Sequence, residues 1–353
     1  MTAGSIKVAF CENGAGYGGA IISLVAMLEH LPKQYDIGIY TSLNSEPYQR
    51  LGALGRWRHV APVRVVSPSR MRASWVPFRS GLDNMLNVLP YALKYYRHFR
   101  RDKNDLVYLN NDTSCNMAAA LAGKFAGLPL VLHARGFNVD TKATRWMLAN
   151  LNHCIAVSHA IKDEMLALGI ARDKITVIPE GLDLNVFRPG PPVLAVREEL
   201  GIDEHDPVIT LVAGLVDWKG QDVLLDAVPM ILARYPNAHF LLVGGAYGKD
   251  RAFADLIMSR AGEPKLRGRV HMLGARDDIP AVLSISDIVL HASTKPEPFG
   301  RTFLEGMAFG KAVIASNEGG PLDVIVHEVD GLLIAPRQPA LLAQAVIRLL
   351  DEP

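Results

Sequence analysis

Short apolar runs rich in β-branched residues alternate along the whole chain with stretches whose apolar positions recur every three or four residues. The first pattern predicts buried parallel strands, the second amphipathic helices packed on them. In the first half, strands are expected at 6–11, 36–41, 106–109, 128–133, 153–157 and 174–178, with helices at 20–31, 88–101, 113–125 and 158–168. In the second half, strands are expected at 208–213, 239–243, 270–273, 288–290, 312–315 and 331–334, with helices near 220–234, 279–284, 301–309 and 339–350. The alternation occurs twice. Between the copies, Phe187-Arg188-Pro189-Gly190-Pro191-Pro192 can continue neither a helix nor a central strand. The expected fold class is α/β: two Rossmann-like, doubly wound parallel-sheet domains, 1–187 and 188–353, facing a central cleft onto which the C-terminal strand ends open.

A chain of 353 residues, 49% hydrophobic and 21% charged, has ample core for two domains and is no disordered segment. No run of ~20 apolar residues would span a membrane. The N-terminus enters a strand at Ile6 without the long apolar stretch of a signal peptide. Cys11, Cys115 and Cys154 lack metal-like or disulfide-like spacing. A cytoplasmic protein is the expectation. The net charge of +1 hides an asymmetry: residues 1–185 carry 21 Lys and Arg against 14 Asp and Glu, the remainder 16 against 22.

Four motifs carry candidate chemistry. Gly14, Gly16 and Gly19 form a G-x-G-x-x-G pattern between the first strand and first helix, where backbone can approach a phosphate. The second strand ends Tyr40-Thr41-Ser42 without the acid that would hold a dinucleotide's ribose, which argues against NAD or FAD; a plain tight turn is the competing reading. In Val212-Ala213-Gly214-Leu215-Val216-Asp217-Trp218-Lys219-Gly220, a lysine at the mouth of a β–α turn suits a diphosphate, or is simply solvated. In Glu297-Pro298-Phe299-Gly300-Arg301-Thr302-Phe303-Leu304-Glu305, two carboxylates at one strand exit suit hydroxyl-rich ligands; two unrelated surface glutamates are the alternative. Ser316-Asn317-Glu318-Gly319-Gly320-Pro321 joins a strand to a helix start, as a phosphate cradle or an ordinary turn.

Together these motifs resemble the family 4 glycosyltransferases, retaining enzymes of the GT-B fold. Glu297 and Glu305 match the family's E-x7-E pair, Lys219-Gly220 its phosphate-site lysine, and Gly331-Leu332-Leu333 a late strand. Gly18-Gly19, Val157-Ser158 and Ile178-Pro179-Glu180-Gly181-Leu182-Asp183 match more loosely. The resemblance implies a sugar moved from a nucleotide-diphosphate donor to an acceptor, with no metal and no further cofactor. It implies that Glu305 binds the ribose, Glu297 the transferred sugar and Lys219 the diphosphate. Phe299, Gly300, Gly319 and Gly320 would complete the donor site, Gly18 and Gly19 would lie against the diphosphate, and His133 would stand near the reacting sugar. For His133 a purely structural role competes. Glu297, His133 and Lys219 are the expected catalytic groups.

Several positions depart from the family. Leu215 stands where an arginine is usual and Glu180 where an asparagine is usual. The acid after the Gly-Gly-Pro turn is shifted to Asp323, and the family's crossing C-terminal helix is expected to be reduced or missing. These departures keep two alternatives open: a sugar-nucleotide epimerase and a non-catalytic nucleotide-sugar-binding subunit.

Residues 56–103 hold 11 Lys and Arg against Asp83 and Asp102, interleaved with Trp57, Trp75, Phe78, Tyr91, Tyr95, Tyr96 and Phe99. This stretch suits an anionic membrane surface and a lipid-linked saccharide acceptor, or else is a solvated helix with its aromatics in the core. No nucleic-acid module accompanies it.

Overall fold

The protein is seen here in a computed structural model that describes residues 5–14, 18–63, 84–188, 190, 193–246, 250–266 and 268–352. Gly16 of the glycine pattern, residues 64–83 of the basic stretch with Trp75 and Phe78, and Pro189, Pro191 and Pro192 lie outside the described residues. The chain divides into two units, Met1–Gly181 and Leu182–Pro353. The division falls a few residues ahead of the proline-rich stretch, and Phe187 packs into the second unit's core.

In the first unit the strands are β1 (Ile6–Glu12), β2 (Tyr35–Thr41), β3 (Arg56–His59), β4 (Leu106–Asn110), β5 (Leu130–Ala134), β6 (His153–Ala156) and β7 (Ile175–Val177). They form one sheet in the order β3-β2-β1-β4-β5-β6-β7, every pair parallel. The helices are α1 (Gly19–Glu29), α2 (Glu46–Gln49), α3 (Leu89–Asp102), α4 (Thr113–Phe125), α5 (Lys142–Ala149) and α6 (His159–Ala167). Three start on residues whose side chains accept the first free N–H groups: Asp112 from Ser114, Thr141 from Thr144 and Ser158 from Ile161.

The second unit holds β8 (Val208–Val212), β9 (His239–Val243), β10 (Val270–Gly274), β11 (Ile288–His291), β12 (Ala312–Ser316) and β13 (Leu332–Ile334), parallel in the order β10-β9-β8-β11-β12-β13. Its helices are α7 (Leu194–Leu200), α8 (Gln221–Arg234), α9 (Arg251–Ala261), α10 (Ile279–Ile285), α11 (Arg301–Ala308) and α12 (Pro339–Asp351). Strand residues alternate between two cores. Ile209, Leu211, Phe240, Leu242, Ile288, Leu290 and Ile314 enter one. Leu241, Val243, Val289, Val313 and Ala315 enter clusters on the opposite face. Burial on both faces is what the unbroken apolar runs require.

Both sheets share the doubly wound order, with the direction of winding reversing between β1 and β4 and between β8 and β11. Ligands of such sheets bind beyond the C-terminal strand ends at that reversal. Among the described residues, no helix is long and apolar enough to cross a membrane.

Candidate active site

In the second unit, the loops leaving β8 and β11 meet at the reversal. Gly220 makes the meeting close: its φ is +78°, and a Cβ there would stand 1.9 Å from the Ala292 carbonyl oxygen. The Thr294 N–H donates to the Trp218 carbonyl at 2.8 Å, pinning one loop to the other. Lys219 is thereby delivered to Glu297, Nζ to Oε2 at 2.6 Å, with Nζ 4.0 Å from the centre of the Trp218 ring.

Glu297 is buried, and its Oε2 gathers every partner. Ser293 Oγ donates to it at 2.9 Å and His291 Nε2 stands 3.2 Å away. Ser293 is itself tied down, its carbonyl accepting from Ser316 Oγ at 2.6 Å. Burial pushes the Glu297 pKa up, but the Lys219 ammonium and His291 more than offset this and hold the carboxyl well below its ordinary range. Among the described residues, Oε1 has no hydrogen-bond partner.

Gly300, Gly319 and Gly320 let the chain pack closely around Glu297 and its neighbours. Gly319, at φ +78°, pairs with Glu297 as an isolated parallel bridge, and a Cβ on it would meet the Glu297 carbonyl oxygen at 2.1 Å. The expectation that the turn's N–H groups are free for a phosphate is corrected at Gly320, whose N–H donates to the Glu297 carbonyl at 2.7 Å. Gly300, at φ +94°, lets the chain pass His291, whose Nε2 would be 2.8 Å from an added Cβ. Phe299 is buried, its ring centre 5.9 Å from that of Phe303.

Glu305 lies in α11 and is buried, with Arg301 one turn earlier at 3.6 Å. Burial raises its pKa to about 7, only partly offset by the Arg301 charge. The structure thus brings Lys219 and Glu297 into direct contact and leaves Glu305 beside Arg301, outside their hydrogen-bond network. Leu215 needs a correction. Its side chain belongs to the apolar core that contains Leu211 and Leu224, so a leucine there removes no phosphate-facing group. The half-buried neighbour at the loop is Gly214.

In the first unit, Gly18 caps the N-terminus of α1 with no side-chain cap, and no acid occupies the first turn. A helix N-terminus presents its first N–H groups and the positive end of the helix dipole. A Cβ on Gly18 or Gly19 would meet nothing within 4 Å. His133 ends the apolar run of β5 and is buried; its Nδ1 is hydrogen-bonded to the Tyr108 hydroxyl and lies 3.2 Å from Arg135 NH2. Arg135 also donates from Nε to Asn110 Oδ1 at 2.8 Å and pairs with Glu180 through NH1. Asn110 Nδ2 donates to Glu12, which also accepts from the Gly14 N–H at 2.7 Å.

Sequence reasoning missed Glu12, Asn110, Tyr108, Arg135, His291 and Ser293. A signal existed for three of them. Glu12, Asn110 and His291 each close an apolar strand with a polar residue at the ligand-facing end, as His133 nearly does. Among the described residues, no group of three or more His, Cys, Asp or Glu is placed to hold a metal ion.

Comparison with known proteins adds to this geometry. Residues 194–353 fit the family model described as Glycosyl transferases group 1, and residues 17–186 that described as Glycosyltransferase Family 4. An uncharacterized glycosyltransferase of Methanocaldococcus jannaschii is 30% identical over 226 residues, 61% of this chain and 56% of that protein. The UDP-Gal:alpha-D-GlcNAc-diphosphoundecaprenol alpha-1,3-galactosyltransferase of Escherichia coli is 25% identical over 298 residues, 80% of this chain and 76% of its own. The chain spans about half the length of several of the curated relatives it matches. Anabaena HepE, solved with UDP and glucose, superposes with a TM-score of 0.82 at 24% identity, covering 98% of this chain and 90% of that one.

Proposed function

The chain belongs to the family 4 glycosyltransferases of the GT-B fold, and from that membership we propose that it moves a sugar from a nucleotide-diphosphate sugar to an acceptor with retention at the anomeric carbon. The observation that carries this reading is the Lys219–Glu297 pair at the exits of β8 and β11. The physical task is to stabilise a departing diphosphate and an oxocarbenium-like sugar together. Lys219 supplies positive charge to the diphosphate. Glu297 keeps Oε1 for the sugar while Ser293 and Lys219 hold Oε2. Glu305 accepts the ribose hydroxyls, and His133 contacts the reacting sugar. With no side chain assigned as covalent nucleophile, the acceptor attacks from the leaving-group face.

The test is turnover of a panel of UDP-, GDP- and ADP-hexoses with and without saccharide acceptors, in excess chelator. Lys219→Ala is expected to cost at least about a hundredfold in kcat, as for loss of a preorganised charge. Donor consumed to a free product without any acceptor supports the epimerase reading instead. Nucleotide binding without turnover supports a binding subunit. Loss of all transfer in chelator removes the metal-free mechanism.

The acceptor reading is a lipid-linked saccharide, in keeping with the diphosphoundecaprenol named for the Escherichia coli relative. Tyr91, Tyr95 and Phe99 of α3 are buried, so those aromatics serve the core and not a membrane. The opposite face carries exposed Leu89 and Leu93, which with Tyr96 and exposed Phe125 line a groove of 300 Å³. Arg97 and Arg100 are exposed one and two turns beyond Leu93. An apolar strip beside cations is the chemistry of an anionic bilayer surface. Vesicle co-sedimentation checks this: binding to anionic but not neutral vesicles, weakened in Leu93→Glu, is expected, and equal recovery with both vesicle types defeats it.

A further inference from the structure

Arg135 meets His133 in a contact that one ring tautomer can use as a hydrogen bond and the other cannot. Its NH2 lies 3.2 Å from His133 Nδ1. A guanidinium has five N–H donors and no acceptor, so the nitrogen it faces must offer a lone pair. With no proton on Nδ1, the Tyr108 hydroxyl bonded to the same atom is a donor too and shares the single lone pair with Arg135. The guanidinium cannot turn to relieve this, because Nε is committed to Asn110 and NH1 to Glu180. The Arg135 and Glu180 side chains are only 3% and 9% exposed. Burial, with the Arg135 charge second, holds the His133 pKa well below the ordinary histidine value, so the ring is neutral and has one N–H proton. His133 Nε2 is buried and has no partner among the described residues.

We propose that Arg135, locked by Glu180 and Asn110, is a positioning residue that fixes His133 as the Nε2–H tautomer, so that this histidine meets a sugar oxygen as a hydrogen-bond donor and not as a proton acceptor. The inference rests on the sugar-transfer reading above and deepens it. It also gives the departure at 180 a purpose. A carboxylate there balances a buried guanidinium, which a neutral asparagine would leave uncompensated.

The experiment uses the full chain with 15N-labelled histidine. Long-range 1H–15N spectra report which ring nitrogen carries the proton, and His133→Gln assigns the signal. The expected wild-type spectrum has the proton on Nε2 throughout about pH 6 to 8, where a neutral ring persists. Arg135→Met is expected to populate the Nδ1–H form and to lower kcat at least about tenfold, the worth of one directed hydrogen bond, with donor KM little changed. Arg135→Lys, another cation without an acceptor, is expected to keep the Nε2–H form and recover part of kcat. A wild-type proton on Nδ1 overturns the proposal whether or not the variants fold, as does an Nδ1–H form in Arg135→Lys or an unchanged spectrum in Arg135→Met. A chain with the expected spectrum that turns over no nucleotide sugar supports the proton assignment and overturns only the reaction on which it rests.

Discussion

Glu305 carries a carboxyl whose pKa stands at about 7 against an ordinary 4.5. The native state therefore holds this proton more tightly than the unfolded chain does. The penalty for ionising it is absent below about pH 4, grows as pH rises through the interval, and is complete above about 7. Glu305→Gln is expected to raise thermal stability at pH 8, by on the order of 1–3 kcal/mol less the cost of burying an amide, and to leave it unchanged at pH 4. Binding should show the opposite sign. Only the ionised carboxylate accepts hydrogen bonds through both oxygens, so donor affinity in the wild type should rise through pH 7 and level off. In Glu305→Gln it should be weaker and flat. Calorimetry across pH checks both, and a wild-type affinity that falls on the alkaline side removes Glu305 from the ribose. Glu297 behaves in the reverse sense: its depressed pKa contributes stability above the ordinary carboxylate range that is lost on acidification.

Between elements, glycines do the arranging. Gly220→Ala combines a left-handed backbone with a Cβ 1.9 Å from the Ala292 oxygen. It is expected to cost about 2–4 kcal/mol and to part the two exit loops, so that Lys219 no longer reaches Glu297. Gly18→Ala, at φ −150° and with nothing within 4 Å of the added carbon, should stay within about 0.5 kcal/mol of wild type. Denaturant melts of the two variants compare them directly, and equal losses would refute the packing role given to Gly220. The same elements show what the sequence could disclose. Apolar runs such as Ile288–His291 announced their strands because burial on both faces demands them. The edge strand Arg56–His59 was hidden, since its arginines are held by polar partners instead: Arg56 by Asp36 at 2.8 Å and Arg58 by Asp102 at 3.5 Å. The helices 142–149, 194–200 and 251–261 were passed over for want of a long apolar stripe. At the site, Lys219 and Glu297 were legible from motif spacing. Ser293 and Arg135 were not, because their meaning lies in contacts between loops that are distant in sequence.

Across the whole molecule, each unit has its own sheet and its own core, and Lys219, Glu297 and Glu305 all lie within Leu182–Pro353. That unit expressed alone is expected to fold and to be stabilised by the same nucleotide as the full chain, while transferring no sugar. A ligand that binds only the native state raises the melting point, and does so with the logarithm of its concentration over Kd, so a thermal-shift comparison decides the matter. A fragment indifferent to every nucleotide that shifts the full chain would move donor recognition out of the second unit. The open space around Gly18 has a practical use too. Burial pushes the thiols of Cys11, Cys115 and Cys154 far above the ordinary cysteine range, which makes them poor nucleophiles toward maleimides. A cysteine introduced at Gly18 would be the fast-reacting thiol of the molecule, ready to take a fluorophore at the electropositive tip of α1 and report optically on what arrives there.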